Sequence, residues 1–280
     1  MPRRQWNPRR PGAASPRPDA DARGRFRPKP RQGTRKPGDD RVVLYGWHPV
    51  KAALENPQRR IRSLLLTENA ARRLTDEGLS LPAGAELVRP DVIAARLPAD
   101  AVHQGLWAEA DPLPAVDLDD LPADGIVLVL DQITDPHNVG AILRSAAAFG
   151  VSAVITTLRH SPEATGVLAK SASGALEFVP MIAVPNLARA LEALKGRGFL
   201  LVGLDGGSPA DLATVALRLP LGLVLGAEGK GMRQLTRATC HLTARLVLPG
   251  RLKTLNVSNA TALALHVATS RLGSPRASAG

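Results

Sequence analysis

Only one cysteine, Cys240, occurs in the 280 residues. No internal disulfide can form, so the fold must rest on a buried core, and a reducing cytoplasm is the expected compartment. A chain of this length can bury such a core without covalent staples, as one large domain or two modest ones. No apolar run reaches about 18 residues, so no membrane-spanning helix is expected. The arginine-bearing N-terminus leads into no hydrophobic segment, which argues against a signal peptide. No spacing of His, Cys, Asp and Glu matches a metal site, and none is expected. His48 and His103 stand apart, the first beside Pro49 at an expected helix start, the second in His-Gln-Gly-Leu, where an expected role is to shape a turn.

The glycine signatures of common nucleotide sites are missing too. No G-x-G-x-x-G follows the first strand of the C-terminal part. Residues 226–231, Gly-Ala-Glu-Gly-Lys-Gly, hold the glycines of a P-loop but break its pattern: Lys230 precedes Gly231 rather than Ser or Thr, and Val224 stands where the first glycine is needed. Glycines so placed allow tight backbone bends around a bound group.

What the chain does have is positive charge, unevenly spread. The formal charge is +11, and residues 1–40 hold twelve Lys/Arg against four Asp, a net +8. This segment also carries 8 of the 24 prolines and almost no aliphatic side chains, the composition of a disordered tail. Its chemistry suits a basic arm that meets RNA phosphates and releases counterions, or a solubilising extension. Trp6 and Phe26 are too few for base-stacking recognition.

Ordered structure is expected from about residue 41. Strands are read at 42–45, 61–66 and 85–88, with helices at 48–56 and 70–76 and one capped by Asp91 through Ala95. The result is a small α/β module over residues 41–115. Arg59, Arg60 and Arg62 flank its second strand and are candidate phosphate contacts. An acidic, proline-bearing stretch at 111–124 follows, with the linker proper at 116–124. Residues 125–273 then alternate apolar runs with helical ones. Strands are expected at 126–131, 153–156, 178–183, 199–204, 221–225 and 244–248, and helices at 139–149, 187–195 and 232–236 and at the C-terminus. Runs apolar on both faces predict an α/β fold with a mostly parallel sheet covered by helices. Residues 274–280 form a short tail.

Three stretches share one form, a strand whose C-terminal end opens into a loop bearing Gly or Asn. They are Ile126–Ser145 with Asp135-Pro136-His137-Asn138, Leu221–Arg233 with Glu228 among glycines, and Leu246–Ala268 with Asn256 and Ser258 before an apolar helix. In open α/β sheets ligands bind at that edge. Asn256 or Ser258 can cap the last helix, whose N-terminus offers unpaired N–H groups and partial positive charge.

Taken together, Asp135-Pro136-His137-Asn138-Val139-Gly140 with Arg144, Leu225-Gly226-Ala227-Glu228-Gly229 with Gly231, and Leu255-Asn256-Val257-Ser258 after Gly250 resemble the three motifs of the SpoU family of RNA ribose 2′-O-methyltransferases. That family lies within the knotted SPOUT superfamily. Lys170-Ser171-Ala172-Ser173-Gly174-Ala175 matches a further family pattern, read as small-residue close packing with Lys170 as a candidate phosphate contact. The resemblance implies a C-terminal trefoil knot in residues 125–273, preceded by a substrate-binding domain like a ribosomal-protein (L30e-like) RNA-binding fold. It implies S-adenosylmethionine as cofactor, with Gly226, Leu246 and Leu255 lining its pocket. Asn138, Arg144, Glu228, Asn256 and Ser258 are the implied catalytic set. A guanidinium stays protonated in proteins, so Arg144 suits an anchor for phosphate and developing alkoxide better than a base. Asn138 would orient Arg144 or the ribose, Glu228 would hold Arg144 or a hydroxyl, and Asn256 and Ser258 would fix the third loop. The branch that methylates guanosine in large-subunit rRNA is the nearest match. A tRNA ribose methyltransferase or a non-catalytic RNA-binding assembly factor is the alternative. Partners implied are RNA, rRNA ahead of tRNA, and a second copy in a homodimer. Leu246-Val247-Leu248 replaces a common Ile-Pro-Met and Thr254 a common serine. These departures bear on cofactor affinity more than on reaction type.

Overall fold

A computed structural model describes residues 41–159 and 166–273. The expected basic arm and C-terminal tail lie outside the described residues. In chain order the elements are β1 (Val42–Tyr45), α1 (Trp47–Glu55), β2 (Ile61–Leu66), α2 (Glu68–Asp76), β3 (Ala85–Leu87), α3 (Pro90–Ala94) and β4 (Leu106–Ala110). They continue with β5 (Ile126–Asp131), α4 (Pro136–Ala148), β6 (Ala153–Thr157), α5 (Gly166–Ala172), β7 (Met181–Val184), α6 (Leu187–Gly196) and β8 (Leu200–Leu204). The last are β9 (Leu221–Gly226), α7 (Gln234–Thr239), β10 (Leu242–Ala244) and α8 (Val257–Leu272).

The first sheet runs β1-β4-β2-β3, with β4 antiparallel to both neighbours and β3 parallel to β2. β4 is the strand that sequence reading missed. Leu106, Trp107, Ala108 and Ala110 are all buried, so this central strand shows no polar alternation, and its alanines carry little strand preference. Asp91 does not cap α3. Pro90 takes the first helical position, Arg89 the cap without a side-chain bond, and Asp91 falls inside the first turn. His103 shapes its turn by accepting the Gly105 N–H on Nδ1 at 3.1 Å.

Arg59 is not a phosphate contact. Its guanidinium is buried against Glu177 at 2.7 Å, the two side chains being 4% and 2% exposed. Arg60 and Arg62 are both exposed, and Arg62 pairs with Asp111 at 2.7 Å. Beside the buried pair, a Cβ on Gly174 would sit 2.6 Å from that of Ala52 and 3.0 Å from the His48 carbonyl. Glycine there, with φ at +86°, is what lets α1 approach the turn after α5 so closely.

The second sheet runs β10-β8-β9-β5-β6-β7, and every recorded pairing is parallel. Ile126, Leu128 and Leu130 of central β5 join a core cluster with Val139, Ile142 and Leu143 of α4 and Ala264 and Leu265 of α8. Val127 and Val129, between them, are equally buried on the other face. Small residues set the α4–α5 spacing: a Cβ on Gly140 would meet that of Ser171 at 2.3 Å. The side chain of Lys170 lies outside the described set. β10 ends at Ala244, not at Leu248 as expected, because its partner β8 ends at Leu204, the register mate of Ala244. Beyond that point only a single parallel bridge, Arg245 to Asp211, is found among the described residues, and Val247 is exposed.

His241 ties the start of β8 to the β10 edge by accepting the Leu201 N–H on Nδ1 at 3.0 Å. Burial first, then Lys195 and Arg218, hold its pKa below the usual histidine range. The unfolded chain therefore takes up this proton more readily than the folded one. The contribution to stability is complete above the ordinary histidine pKa and is lost as pH falls through the lower folded value. We expect the melting temperature to drop between pH 7.5 and pH 5, and His241→Gln to make that drop smaller, as thermal denaturation would record.

Candidate active site

Each of the three motifs is placed by the end of a strand or the start of a helix. After β5, Asp135 caps α4 by accepting the His137 N–H at 3.1 Å, and Pro136 opens the helix. α4 thus begins three residues before the expected Val139, and Asn138 sits on its first turn. After β9 the chain folds back on itself: Ala227 bridges Gly231, with Gly229 and Gly231 at positive φ. A Cβ on Gly226 would lie 2.1 Å from the carbonyl carbon of Gly231, so only glycine permits this closure. At α8, Asn256 rather than Ser258 is the cap, its Oδ1 accepting the Ser258 N–H at 2.8 Å.

These three pieces meet. The Asn256 Nδ2 donates to Oδ1 of Asn138 at 2.9 Å, and the Val257 N–H donates to Oε1 of Glu228 at 3.1 Å. A carboxylate against the first N–H of a 16-residue helix is well placed electrostatically. Asn138, Glu228, Asn256 and Ser258 thereby form one cluster around the N-terminus of α8.

Arg144 does not join it. Its side chain is exposed and has no partner among the described residues. Six residues along a helix carry a side chain about 9 Å down the axis and about 120° around it, so Asn138 and Arg144 cannot face the same point. The expectation that Asn138 or Glu228 holds Arg144 is not met within this chain, since Asn138 engages Asn256 and Glu228 engages α8.

Next to the cluster is a cleft of about 580 Å³, lined by Gly226, Glu228, Leu246, Leu248, Leu255 and Val257 among others. The three residues read as cofactor-lining, Gly226, Leu246 and Leu255, all face this one space. Its walls combine leucine side chains with loop backbone, the mix that holds a nucleoside-sized ligand.

Sequence reading missed Asp131 and Arg233. Asp131 is fully buried at the end of β5, its Oδ1 accepting the Arg233 Nε–H at 2.7 Å and its Oδ2 the Arg233 backbone N–H at 2.8 Å. The pair locks the loop after β9 onto the neighbouring strand. A lone carboxylate closing an otherwise apolar strand was the available signal. Cys240 offers no nucleophile, because burial pushes its thiol up to about 11. Among the described residues no group of three or more His, Cys, Asp or Glu could hold a metal ion, and no helix is long and apolar enough to cross a membrane.

The family model described as the SpoU rRNA Methylase family matches residues 125–266, the stretch that builds this cluster and cleft. The chain belongs to the SpoU rRNA methylase family. A second model, for RNA 2′-O ribose methyltransferase substrate binding, matches residues 43–116 of this SpoU chain. The Pseudomonas putida 23S rRNA (guanosine-2′-O-)-methyltransferase RlmB is 40% identical over 236 residues, covering 80% of this chain and 94% of the relative. Its Pseudomonas aeruginosa counterpart is 40% identical over 235 residues, with 79% and 93% covered. Among solved structures, the SpoU methyltransferase AviRb from Streptomyces viridochromogenes, in complex with AdoMet, superposes with a TM-score of 0.70 at 24% identity, over 83% of this chain and 90% of that one. That likeness is one of fold, the α/β architecture with a parallel sheet.

Proposed function

We propose that this SpoU chain transfers a methyl group from S-adenosylmethionine to the ribose 2′-OH of a guanosine in 23S rRNA. The observation that carries this reading is the meeting of Asn138, Glu228, Asn256 and Ser258 around the N-terminus of α8, beside the cleft lined by Gly226, Leu246 and Leu255. The near-full-length match to the RlmB relatives supports the choice of guanosine in 23S rRNA over tRNA.

When bound, S-adenosylmethionine supplies an electrophilic methyl group to the 2′-oxygen and leaves as S-adenosylhomocysteine. The chain's own residues bind and orient. Leu246, Leu248 and Leu255 exclude water from the cleft, while backbone around Gly226 and Leu255 reads the polar edges of the ligand. The Asn138–Asn256 contact and the Asn256 cap hold the third loop in place for the incoming ribose. Glu228 holds the first turn of α8 and stands beside the cleft to accept a hydroxyl hydrogen bond. Arg144 anchors the phosphate next to the reacting ribose and stabilises the alkoxide as the hydroxyl proton leaves to that phosphate or to water. Having no partner among the described residues of its own chain, Arg144 reaches the cluster of a second copy in a homodimer. The exposed apolar side chains of Val247 and Leu252 support such an interface.

The domain division proposed is a basic tail at 1–40, an L30e-like substrate-binding domain at 41–115, a linker at 116–124, the methyltransferase domain at 125–273 and a tail at 274–280. A trefoil knot in the methyltransferase domain is supported by the end of α8, where Arg271 donates to the Leu212 and Val215 carbonyls of the loop after β8. The cytoplasm, where rRNA is made, is the proposed compartment.

Methyl transfer from labelled S-adenosylmethionine to undermethylated total RNA, fractionated by size, tests the reading. Label is expected in large-subunit rRNA at a guanosine ribose. Label in tRNA would move the substrate, and cofactor binding without transfer to any RNA would sink the catalytic reading. A second measurement addresses the cleft. Gly226→Ala drives a methyl group into the Gly231 backbone, and we expect S-adenosylmethionine affinity to fall at least tenfold by calorimetry.

A further inference from the structure

Next to the cofactor cleft on the same edge of the parallel sheet lies a second cavity, of about 470 Å³, that no step above uses. It opens where β6 and β7 end and α6 begins, and its lining includes Thr157, Arg159, Leu187, Ala188 and Arg233. Arg233 connects the two spaces, since the preceding residue, Met232, lines the cofactor cleft.

Among the described residues, everything charged that faces this cavity is positive. Arg159 is exposed and has no partner among the described residues. Arg233 adds its guanidinium, backed by buried Asp131, and among the described residues no carboxylate is part of the lining. The 10-residue helix α6 points its N-terminus here. Its cap, Asn186, accepts only the Arg189 N–H, which leaves the first-turn N–H groups of Leu187 and Ala188 without a recorded acceptor. An independent observation comes from Thr157. Its Oγ1 is buried and has no hydrogen-bond partner among the described residues, while the residue, 5% exposed, lines this cavity. Buried hydroxyls are nearly always satisfied, so an unpaired one on a residue that lines a cationic cavity points to an oxygen-bearing ligand there.

We infer that this cavity is a phosphate subsite for the RNA strand, holding one backbone phosphodiester next to the nucleotide to be methylated through Arg159, the α6 N-terminus and the Thr157 hydroxyl. The inference rests on the proposed function for the identity of its ligand. The phosphate supplies the acceptor oxygens that Arg159, Thr157 and the free N–H groups need, and the cavity has room for the attached sugar. A contact of this kind adds affinity and register without reading the base.

The test uses the full chain and an unmethylated 23S rRNA transcript. RNA binding is measured over a salt series for wild type, Arg159→Ala and Thr157→Val, with methyl transfer followed in parallel. For Arg159→Ala we expect about tenfold weaker RNA binding and a log–log salt slope shallower by about 0.7, the change for one single-strand phosphate contact. Thr157→Val removes an unpaired buried hydroxyl from a nearly isosteric side chain. It should melt no lower than wild type, yet raise KM for RNA several-fold while S-adenosylmethionine affinity stays unchanged. A merely structural threonine would not separate these readouts. Unchanged salt slope and KM in both variants would overturn the subsite. So would stabilisation of wild type, but not Arg159→Ala, by inorganic phosphate with RNA binding unaffected, since the cavity would then take a free anion. If wild type transfers no methyl, the functional reading fails, while the salt slope for RNA binding still decides the subsite.

Discussion

Arg144→Ala is expected to lower methyl transfer by about 10²–10³ while leaving S-adenosylmethionine binding intact, the loss typical of removing one preorganised donor to a developing oxyanion. The argument is geometric. Asn138, Asn256 and Ser258 are neutral and Glu228 is acidic, and all four are committed to one another or to the N-terminus of α8, so none of them supplies positive charge. Arg144 projects from α4 into solvent, uncommitted. Lysine keeps the charge but loses the planar fork, so Arg144→Lys should recover less than a tenth of the lost rate. Single-turnover transfer with prebound cofactor is the measurement, and near-normal turnover of the lysine variant would sink the bidentate role. If the site draws on two chains, mixing Arg144→Ala with Asn256→Ala protomers should restore up to a quarter of wild-type activity, through dimers that carry one intact site.

Breaking the Arg59–Glu177 pair should have the largest effect on stability. Both side chains are almost fully buried. Arg59 donates to both carboxylate oxygens of Glu177 and to the Asp111 carbonyl at 2.7 Å, and Asn56 Nδ2 adds a bond to Glu177 at 2.9 Å. Removing one partner strands a charge away from water, at a cost of about 3–5 kcal/mol. Arg59→Met alone, or Glu177→Gln alone, should therefore lower the denaturation midpoint sharply in urea. Replacing both by Met should recover most of the loss, because the desolvation penalty goes with the charges. Equal destabilisation by the double and single variants would refute that account. The location matters for function. Arg59 belongs to the segment before β2 and Glu177 to the turn before β7, so the pair, with Gly174, fastens the proposed substrate-binding domain to the methyltransferase domain.

Much of this molecule could be read from local chemistry. An apolar run buried on both faces can be little else than a central parallel strand, and β5, β6, β8 and β9 lie within a residue or two of where their composition puts them. The cap of α8 was legible for the same reason: Asn256, one of two candidates before an apolar helix, is a short-range solution to unpaired N–H groups. The family motifs brought together Asn138, Arg144, Glu228, Asn256 and Ser258 as a set; four of the five meet at the N-terminus of α8, and Arg144 does not join them.

Other features depended on neighbours that no local pattern encodes. β4 looks unremarkable as Leu-Trp-Ala-Glu-Ala and becomes central only because β1 and β2 flank it. β10 stops at Ala244 because β8 stops at Leu204, a limit set about 40 residues away in the chain. Arg59 reads as one of three surface arginines until Glu177 arrives from 118 positions later to bury it. Asp131 and Arg233, and the cationic cavity beside them, likewise arise only when strand ends and helix starts from separate segments share one sheet edge. Hydrophobic period and capping are short-range and leave their mark along the chain. Charge pairing, ladder length and cavity shape are set by which segments meet, and that is decided only by the folded arrangement.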